Sequence, residues 1–316
     1  MIAMVLYYSG MDFIVNYLGD KVEVLEDISL LDNYSKCIVC DNDGVSRAYA
    51  FQIVSLCIEK CPDIMCYYFF SEDEKKQLRE LAYKKGVNIE FLTTQFDGIL
   101  DLKKFDIPVI YICGEGADCD QIEYHVMFAN WLQKRGFSVL NISNSIKASL
   151  LGFEYLDIDR ILGEARSKEI LKINEWLIDL QKKYNADVII LSNEEGIIPL
   201  NSDDTTSFGI QNHFLKYAIP FDYVVFSVYT NLIDEMNINA FCEYLGPVVN
   251  EKDICVAVSK HCYDKNNGYI SIFQVTEDEY MSCWNRVNMK GNIIALCENN
   301  SVECFLERIV GINDRL

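Results

Sequence analysis

Positive charge is what this chain has least of. Its 316 residues carry 28 Lys and Arg against 48 Asp and Glu, a formal charge of -20. Nucleic-acid binding needs clustered cations to neutralise phosphates, and an anionic membrane surface repels so acidic a chain, so neither is an expected partner. Long hydrophobic runs are missing too, none reaching the roughly 20 apolar residues of a membrane-spanning helix. The start, MIAMVLYYSG, has neither the basic stretch nor the small-residue cleavage site of a secretory signal. A cytoplasmic protein is the expectation. Histidine is scarce and scattered, at His125, His213 and His261, and no GxSxG or HExxH occurs, which argues against a His-based triad or metal site.

Half the residues are apolar and 24% are charged, the mix of a globular protein, and the length suffices for two domains with separate cores. The 13 cysteines are spread along apolar elements without the dense short loops of a disulfide scaffold, and read as reduced thiols. Cys37 and Cys40 form a CxxC with Ile38 and Val39 between them, a strand on which residues three apart point to opposite faces. Cys57, Cys61 and Cys66 do not have the spacing of a cluster-binding CxxxCxxC. No metal and no cofactor are expected from them.

Apolar runs of strand length alternate with helical patterns throughout, the signature of an α/β protein with mostly parallel sheets and crossover helices. Early strands are expected at Ile2–Tyr7, Cys37–Cys40, Met65–Phe70 and Val87–Leu92, with helices at Tyr49–Lys60 and Ser71–Lys85. Ser71 before Glu72, Asp73 and Glu74 makes an N-cap with acids at the positive helix end. The pattern breaks from Phe96 to Pro108 and then restarts, which places a boundary near Lys104 and predicts two three-layer units, 1–104 and 105–316. In the second, strands are expected at Val109–Cys113, Phe137–Ile142, Val188–Leu191, Tyr223–Tyr229, Ile254–Val258 and Ile293–Leu296. Helices are expected at Asp120–Arg135, at Ser167–Tyr184 with Ile170, Ile173, Leu177, Leu180 and Tyr184 on one face, and at Ser301–Val310.

Two segments look like a site. VIYICGEGADCDQIEYHVMFANWL reads as buried strand, glycine-bearing loop and amphipathic helix, the layout of a phosphate-binding loop. Laid on GxxxxGK[ST], Gly114 takes the first glycine, Cys119 the second, Asp120 the lysine and Gln121 the hydroxyl residue, so three of four defining positions are replaced. The same layout also arises where glycines serve only a tight turn. DVIILSNEEGIIPL is a buried strand ending in Glu194, Glu195 and Gly196, where such proteins place the acid that holds Mg²⁺, and where ligands of open sheets collect. Asp203, Asp204 and the run to Gly209 extend it into a loop long enough to be a lid or contact surface. The candidate ligand- or partner-binding residues are Gly114, Glu115, Gly116, Asp118, Asp120, Gln121, Glu194, Glu195 and Gly196.

Taken together, GEGADCDQIEYHVMFANWLQKRGFSVLNISNSIKASLLGFEYL and EEGIIPLNSDDTTSFGIQNHFLKYAIPFDYVVFSVY resemble the peptide maturation system proteins of bacterial ribosomal-peptide natural-product cassettes. The likeness spans about Ile107 to His261 and extends more loosely to the first domain. It implies a second domain like a degenerate phosphate-loop NTPase, and a precursor peptide or modifying enzyme of the same pathway as partner. It brings no reaction that can be assigned to a residue. More distantly, EEGIIPL resembles the EGxGGxxxPL stretch of dethiobiotin-synthetase-like enzymes, with Ile197 and Ile198 in place of the later glycines. The leading expectation is an accessory binding protein acting through the Gly114 and Glu195 loops. The alternative is an atypical Mg²⁺-dependent ligase or transferase using Glu194, Glu195, Asp118 and Asp120.

Overall fold

The computed structural model describes residues 2–5, 15, 19–25, 28–40, 45–68, 70–91, 102–158, 166–197, 199–200, 209–233, 254–266, 269–287, 293–295, 303 and 305–307. The chain divides into two units, Met1–Thr94 with Ile146–Tyr155, and Gln95–Ser145 with Leu156–Leu316. Lys104 lies in the second. The protein is mixed α/β with two mostly parallel sheets. No helix among the described residues is long and apolar enough to cross a membrane.

In the first unit, β1 (Ile2–Val5), β2 (Val22–Val24), β3 (Lys36–Val39), β4 (Asp63–Cys66) and β5 (Asn88–Phe91) pair in parallel in the order β2-β1-β3-β4-β5. Helix α1 (Arg47–Lys60) joins β3 to β4, and α2 (Glu72–Lys85) joins β4 to β5. Local sequence fixes both ends of α2. The Ser71 N–H donates to Glu74 Oε2 at 2.7 Å and the Glu74 N–H donates to Ser71 Oγ at 3.3 Å, a reciprocal capping box. Gly86 ends the helix with φ 70°, the left-handed conformation glycine adopts without a Cβ penalty. Ile53, Val54 and Cys57 of α1 and Leu78 and Ala82 of α2 bury their side chains with Cys37, Val39 and Ile64 of the strands. The order reverses direction between β1 and β3, and the segments that follow those strands, 6–14 and 41–44, lie outside the described residues.

The second unit opens with β6 (Val109–Gly114), every residue of which is buried. It continues through α3 (Gln121–Lys134) and β7 (Val139–Ser143). The short α4 (Ile146–Ser149) and β8 (Glu154–Tyr155) fall in the stretch that belongs to the first unit. Then follow α5 (Arg166–Tyr184), β9 (Val188–Gly196), α6 (Ile210–Ala218), β10 (Tyr223–Val228) and β11 (Ile254–Val258). An antiparallel hairpin, β12 (His261–Asn266) and β13 (Tyr269–Gln274), precedes α7 (Glu277–Val287) and β14 (Ile293–Ala295). Within this unit the strands run β14-β11-β10-β6-β9-β7, so the first strand is central, β7 stands two places from it with β9 returning between them, and β10, β11 and β14 extend the sheet outward on the other side. Burial on both faces explains the continuous apolar runs. Val109, Tyr111 and Cys113 enter one core with Ile173 and Leu177 of α5, while Ile110 and Ile112 enter another with Tyr124 and Phe128 of α3.

Sequence periodicity misplaced some positions. Tyr184, expected on the buried face of α5, is 45% exposed, because it is the last residue of the helix and has run past the sheet. Helices α6 and α7 and the hairpin were not anticipated. No disulfide joins the described cysteines. Of the expected closing helix, 303 and 305–307 are described as helical, and the remainder lies outside the described residues.

Ser71→Ala is expected to lower stability by about 1 kcal/mol, the usual worth of an N-cap. Combining it with Glu74→Ala should add less than the second change alone costs, because the two side chains share one capping box; full additivity in urea denaturation would contradict the reciprocal bond.

Candidate functional site

The phosphate-loop-like segment stands at the carboxyl end of the central strand. Gly114 is in register with Ser227 of β10 on one side and Gly196 of β9 on the other. The Ile197 N–H donates to the Gly114 carbonyl at 3.1 Å and the Glu115 N–H to the Ser227 carbonyl at 2.8 Å. The Gly114 and Glu195 loops therefore meet at one sheet edge, where open α/β sheets collect ligands. Glu194 and Glu195 are still on β9 rather than beyond it, and the register between β6 and β9 shifts between Ile112 and Gly114. Residues 201–208, with Asp203 and Asp204, lie outside the described residues.

The loop is filled by its own helix. The Cys119 N–H donates to Gln121 Oε1 at 2.8 Å, and Gln121 Nε2 donates to the Gly116 carbonyl at 2.8 Å. The side chain is 1% exposed. A Cβ at Gly114 would stand 2.2 Å from Gln121 Nε2, and one at Gly116 2.5 Å from the Tyr229 hydroxyl. Both glycines thus make room for the protein's own side chains. In a working phosphate loop that space and those N–H groups belong to an anion.

Asp120, which takes the lysine position, is equally occupied. Its Oδ2 accepts from Ser259 Oγ at 3.0 Å and from the Lys260 N–H at 2.5 Å, and its Oδ1 lies 2.8 Å from His261 Nδ1. It is 4% exposed and clasps the turn between β11 and β12. Asp118 and Asp120 have φ of 49° and 58°, a conformation that Asp tolerates better than most residues. Glu115, also buried, accepts the Tyr229 N–H at 3.4 Å. Of the residues singled out from sequence, Gly114, Glu115, Gly116, Asp120 and Gln121 are therefore structural parts of the loop. Asp118, Glu194 and Glu195 keep partial exposure.

Glu123, not singled out in the sequence, joins this edge. Burial pushes its carboxyl up to about 8, with the charges of Asp120 and Glu194 adding to the effect. Burial works against a charged His261, but Asp120 chiefly, with Glu123 and Asp118, outweighs it and raises the imidazole pKa. Beneath β9, Asn144 ties the edge together: its Oδ1 accepts the Glu194 N–H at 2.8 Å, and its amide donates to Asn193 and Gln211. His125 is fully buried between Ser192 Oγ at 2.8 Å and Asn141 Oδ1 at 3.2 Å. Burial brings its pKa down to about 3, so it is neutral and serves as a tie from α3 to β9 and β7. Among the described residues, no three His, Cys, Asp or Glu side chains form a group able to hold a metal ion.

Ser259, Lys260 and His261 escaped sequence reasoning because they lie some 140 positions from Asp120, with no local spacing to connect them. Glu123 could have been flagged as the carboxylate three residues after Asp120 in a helix, where side chains are neighbours.

No protein-family model and no curated protein matches the chain in sequence. Among solved structures, a DUF1611 family protein from Anabaena variabilis superposes with a TM-score of 0.69 at 8% identity, covering 97% of this chain and 99% of its own. At that identity the likeness is one of fold. A plasmid partition protein from Borrelia burgdorferi, solved with AMPPNP, gives a TM-score of 0.35 at 16% identity over 66% of this chain and 99% of its own.

Gly116→Ala should cost about 1 to 3 kcal/mol through overpacking against Tyr229, and Tyr229→Phe in the same chain should restore part of it; an unchanged melting temperature for Gly116→Ala would refute the close approach. The pH dependence follows from Glu123 and His261. A carboxyl raised to about 8 is protonated in the folded protein at pH values where the unfolded chain ionises it, so stability falls as pH rises from the ordinary Glu range to that value. The His261 pair contributes below the unfolded imidazole pKa and is lost as pH passes its raised folded value. Both slopes have the same sign. Glu123→Gln should flatten the loss between pH 6 and 9 by on the order of 2 kcal/mol, measured by denaturation at each pH; an unaltered slope would exclude Glu123 as its source.

Proposed function

We propose that the second unit is a binding module that recognises a precursor peptide or a modifying enzyme in the maturation of a ribosomally made peptide, without turning over a nucleotide. One observation carries the second half of this reading: the Gln121 carboxamide occupies the loop interior that a phosphate would need. Gln121 would have to leave and Asp120 would have to give up three partners before an anion could enter. The charge at that position also has the wrong sign. At about 4 Å and an effective dielectric near 20, a unit charge pair is worth about 4 kcal/mol, so replacing attraction by repulsion weakens a triphosphate by orders of magnitude even after solvent screening. Support for a peptide partner comes from the resemblance in sequence and from the carboxylates of Asp118, Glu194 and Glu195 at one edge, which suit a basic segment.

A second reading, an atypical Mg²⁺-dependent ligase or transferase, draws on a single feature. Glu123 keeps its proton near neutral pH beside two other acids, as a general acid must.

Isothermal titration with ATP and GTP, with and without Mg²⁺, is expected to show no binding tighter than about millimolar. A micromolar, Mg²⁺-dependent isotherm abolished by Asp120→Ala would favour the enzyme. A thermal-shift screen of the precursor peptide and modifying enzymes encoded beside this chain should find one that raises the melting temperature, and no shift with any of them would remove the peptide-partner reading.

A further inference from the structure

We infer that the second unit carries a further binding subsite, for an uncharged carboxamide of a ligand, where the ends of β7 and β9 meet the first turn of α6. The subsite serves any ligand bearing that group, whatever its pathway. Three carboxamides meet there, and backbone donors settle which way they face. The Glu194 N–H donates to Asn144 Oδ1 at 2.8 Å and the Glu195 N–H to Asn193 Oδ1 at 3.1 Å. The Asn144 amide nitrogen is thereby turned toward Asn193 Oδ1 and toward Gln211 Oε1, the latter at 2.9 Å. All three oxygens are engaged, and the fully buried Asn193 Nδ2 is left without a hydrogen-bond partner among the described residues. One residue along α6 from Gln211, Asn212 Oδ1 accepts the Tyr111 hydroxyl while its Nδ2 has no partner, and Ser145 Oγ, next to Asn144, has none either. Asn212 and Ser145 are 2% and 5% exposed.

Buried donors without acceptors are rare in native proteins and mark places where something else supplies the acceptor. Two further features converge on the same place. Between Ser192, paired with Ile112, and Gly196, paired with Gly114, β9 sets three residues, Asn193 to Glu195, opposite the single Cys113. Such a bulge re-aims side chains out of the regular ladder. The nine-residue α6 opens at Gly209 with no side-chain cap, and a Cβ there would stand 2.5 Å from the Ile197 carbonyl. The positive end of the helix is therefore pressed against the chain leaving β9. Asn193 Nδ2, Asn212 Nδ2 and the N–H groups of the helix end are all donors, so the ligand atom must be an acceptor. A carboxylate or phosphate is disfavoured by Glu194 and Glu195, the next two residues of β9, in a chain of charge -20. A neutral carbonyl oxygen meets the same donors without that repulsion, and the N–H side of a carboxamide suits the neighbouring carboxylates. Peptide groups and Asn or Gln side chains both supply one.

The probes are three blocked peptides, acetyl-Ala-Asn-Ala-methylamide and its counterparts with Asp or Ala in the middle, titrated into the isotope-labelled full chain while NMR follows the side-chain NH2 signals of Asn193 and Asn212. Both signals should shift and saturate with the Asn peptide at about millimolar concentration. A response confined to that peptide assigns the ligand group to a side chain, an equal response to the Ala peptide assigns it to the backbone, and the Asp peptide should bind several-fold more weakly than the Asn peptide. Asn193→Asp keeps an oxygen for the Glu195 N–H and replaces the unpartnered donor by an acceptor, so it should weaken binding at least about tenfold. Ser145→Ala adds no charge and should weaken it several-fold at an unchanged melting temperature, which covers the case in which N193D does not fold. No shift of either signal with any peptide, tighter binding of the Asp peptide, or undiminished affinity in the folded variants would each overturn the assignment. So would a crystal grown with the Asn peptide in which Asn193 Nδ2 donates to an ordered water only. A pathway peptide that gives no thermal shift leaves these readouts unchanged, so the two proposals fail separately.

Discussion

The Gln121 carboxamide, bridging the Gly116 carbonyl and the Cys119 N–H, sets the shape of everything around the central strand. A turn from strand to helix leaves backbone donors without partners, and they must be satisfied by an anion, by water or by the chain itself. Here the chain does it. With the carboxamide in place, Gly114 has no room for a Cβ.

Asp120 extends the same logic to the neighbouring strands. A buried carboxylate is costly unless paired and hydrogen-bonded, and this one takes the Ser259 hydroxyl, the Lys260 N–H and the His261 ring. Those partners fasten the start of the β12–β13 hairpin to the loop. Burial, with the charge of Asp120 adding to it, then raises the Glu123 carboxyl pKa, so the acidity of this edge depends on pH through a residue outside the loop. Asp120 is thus connected to a hairpin, a histidine and a second acid.

Sequence by itself determined the α/β class, the mostly parallel sheets and the burial of β6, because continuous burial on two faces writes itself as unbroken apolar runs such as VIYIC. It also determined the ends of α2, where Ser71, Glu74 and Gly86 act within a few residues of one another. That Asp120 stands where a phosphate loop would carry its lysine was legible for the same reason. What Asp120 and Gln121 do was not. Gln121 turns back into the loop, and Asp120 reaches the turn after β11, contacts that depend on which strands lie side by side. Only the tertiary structure decided that Asp120 and Gln121 are hydrogen-bonded within the chain, and that Glu123 and His261 share their edge. Local spacing records periodicity and capping, whereas pairing across some 140 residues is fixed by sheet order, which no local pattern encodes.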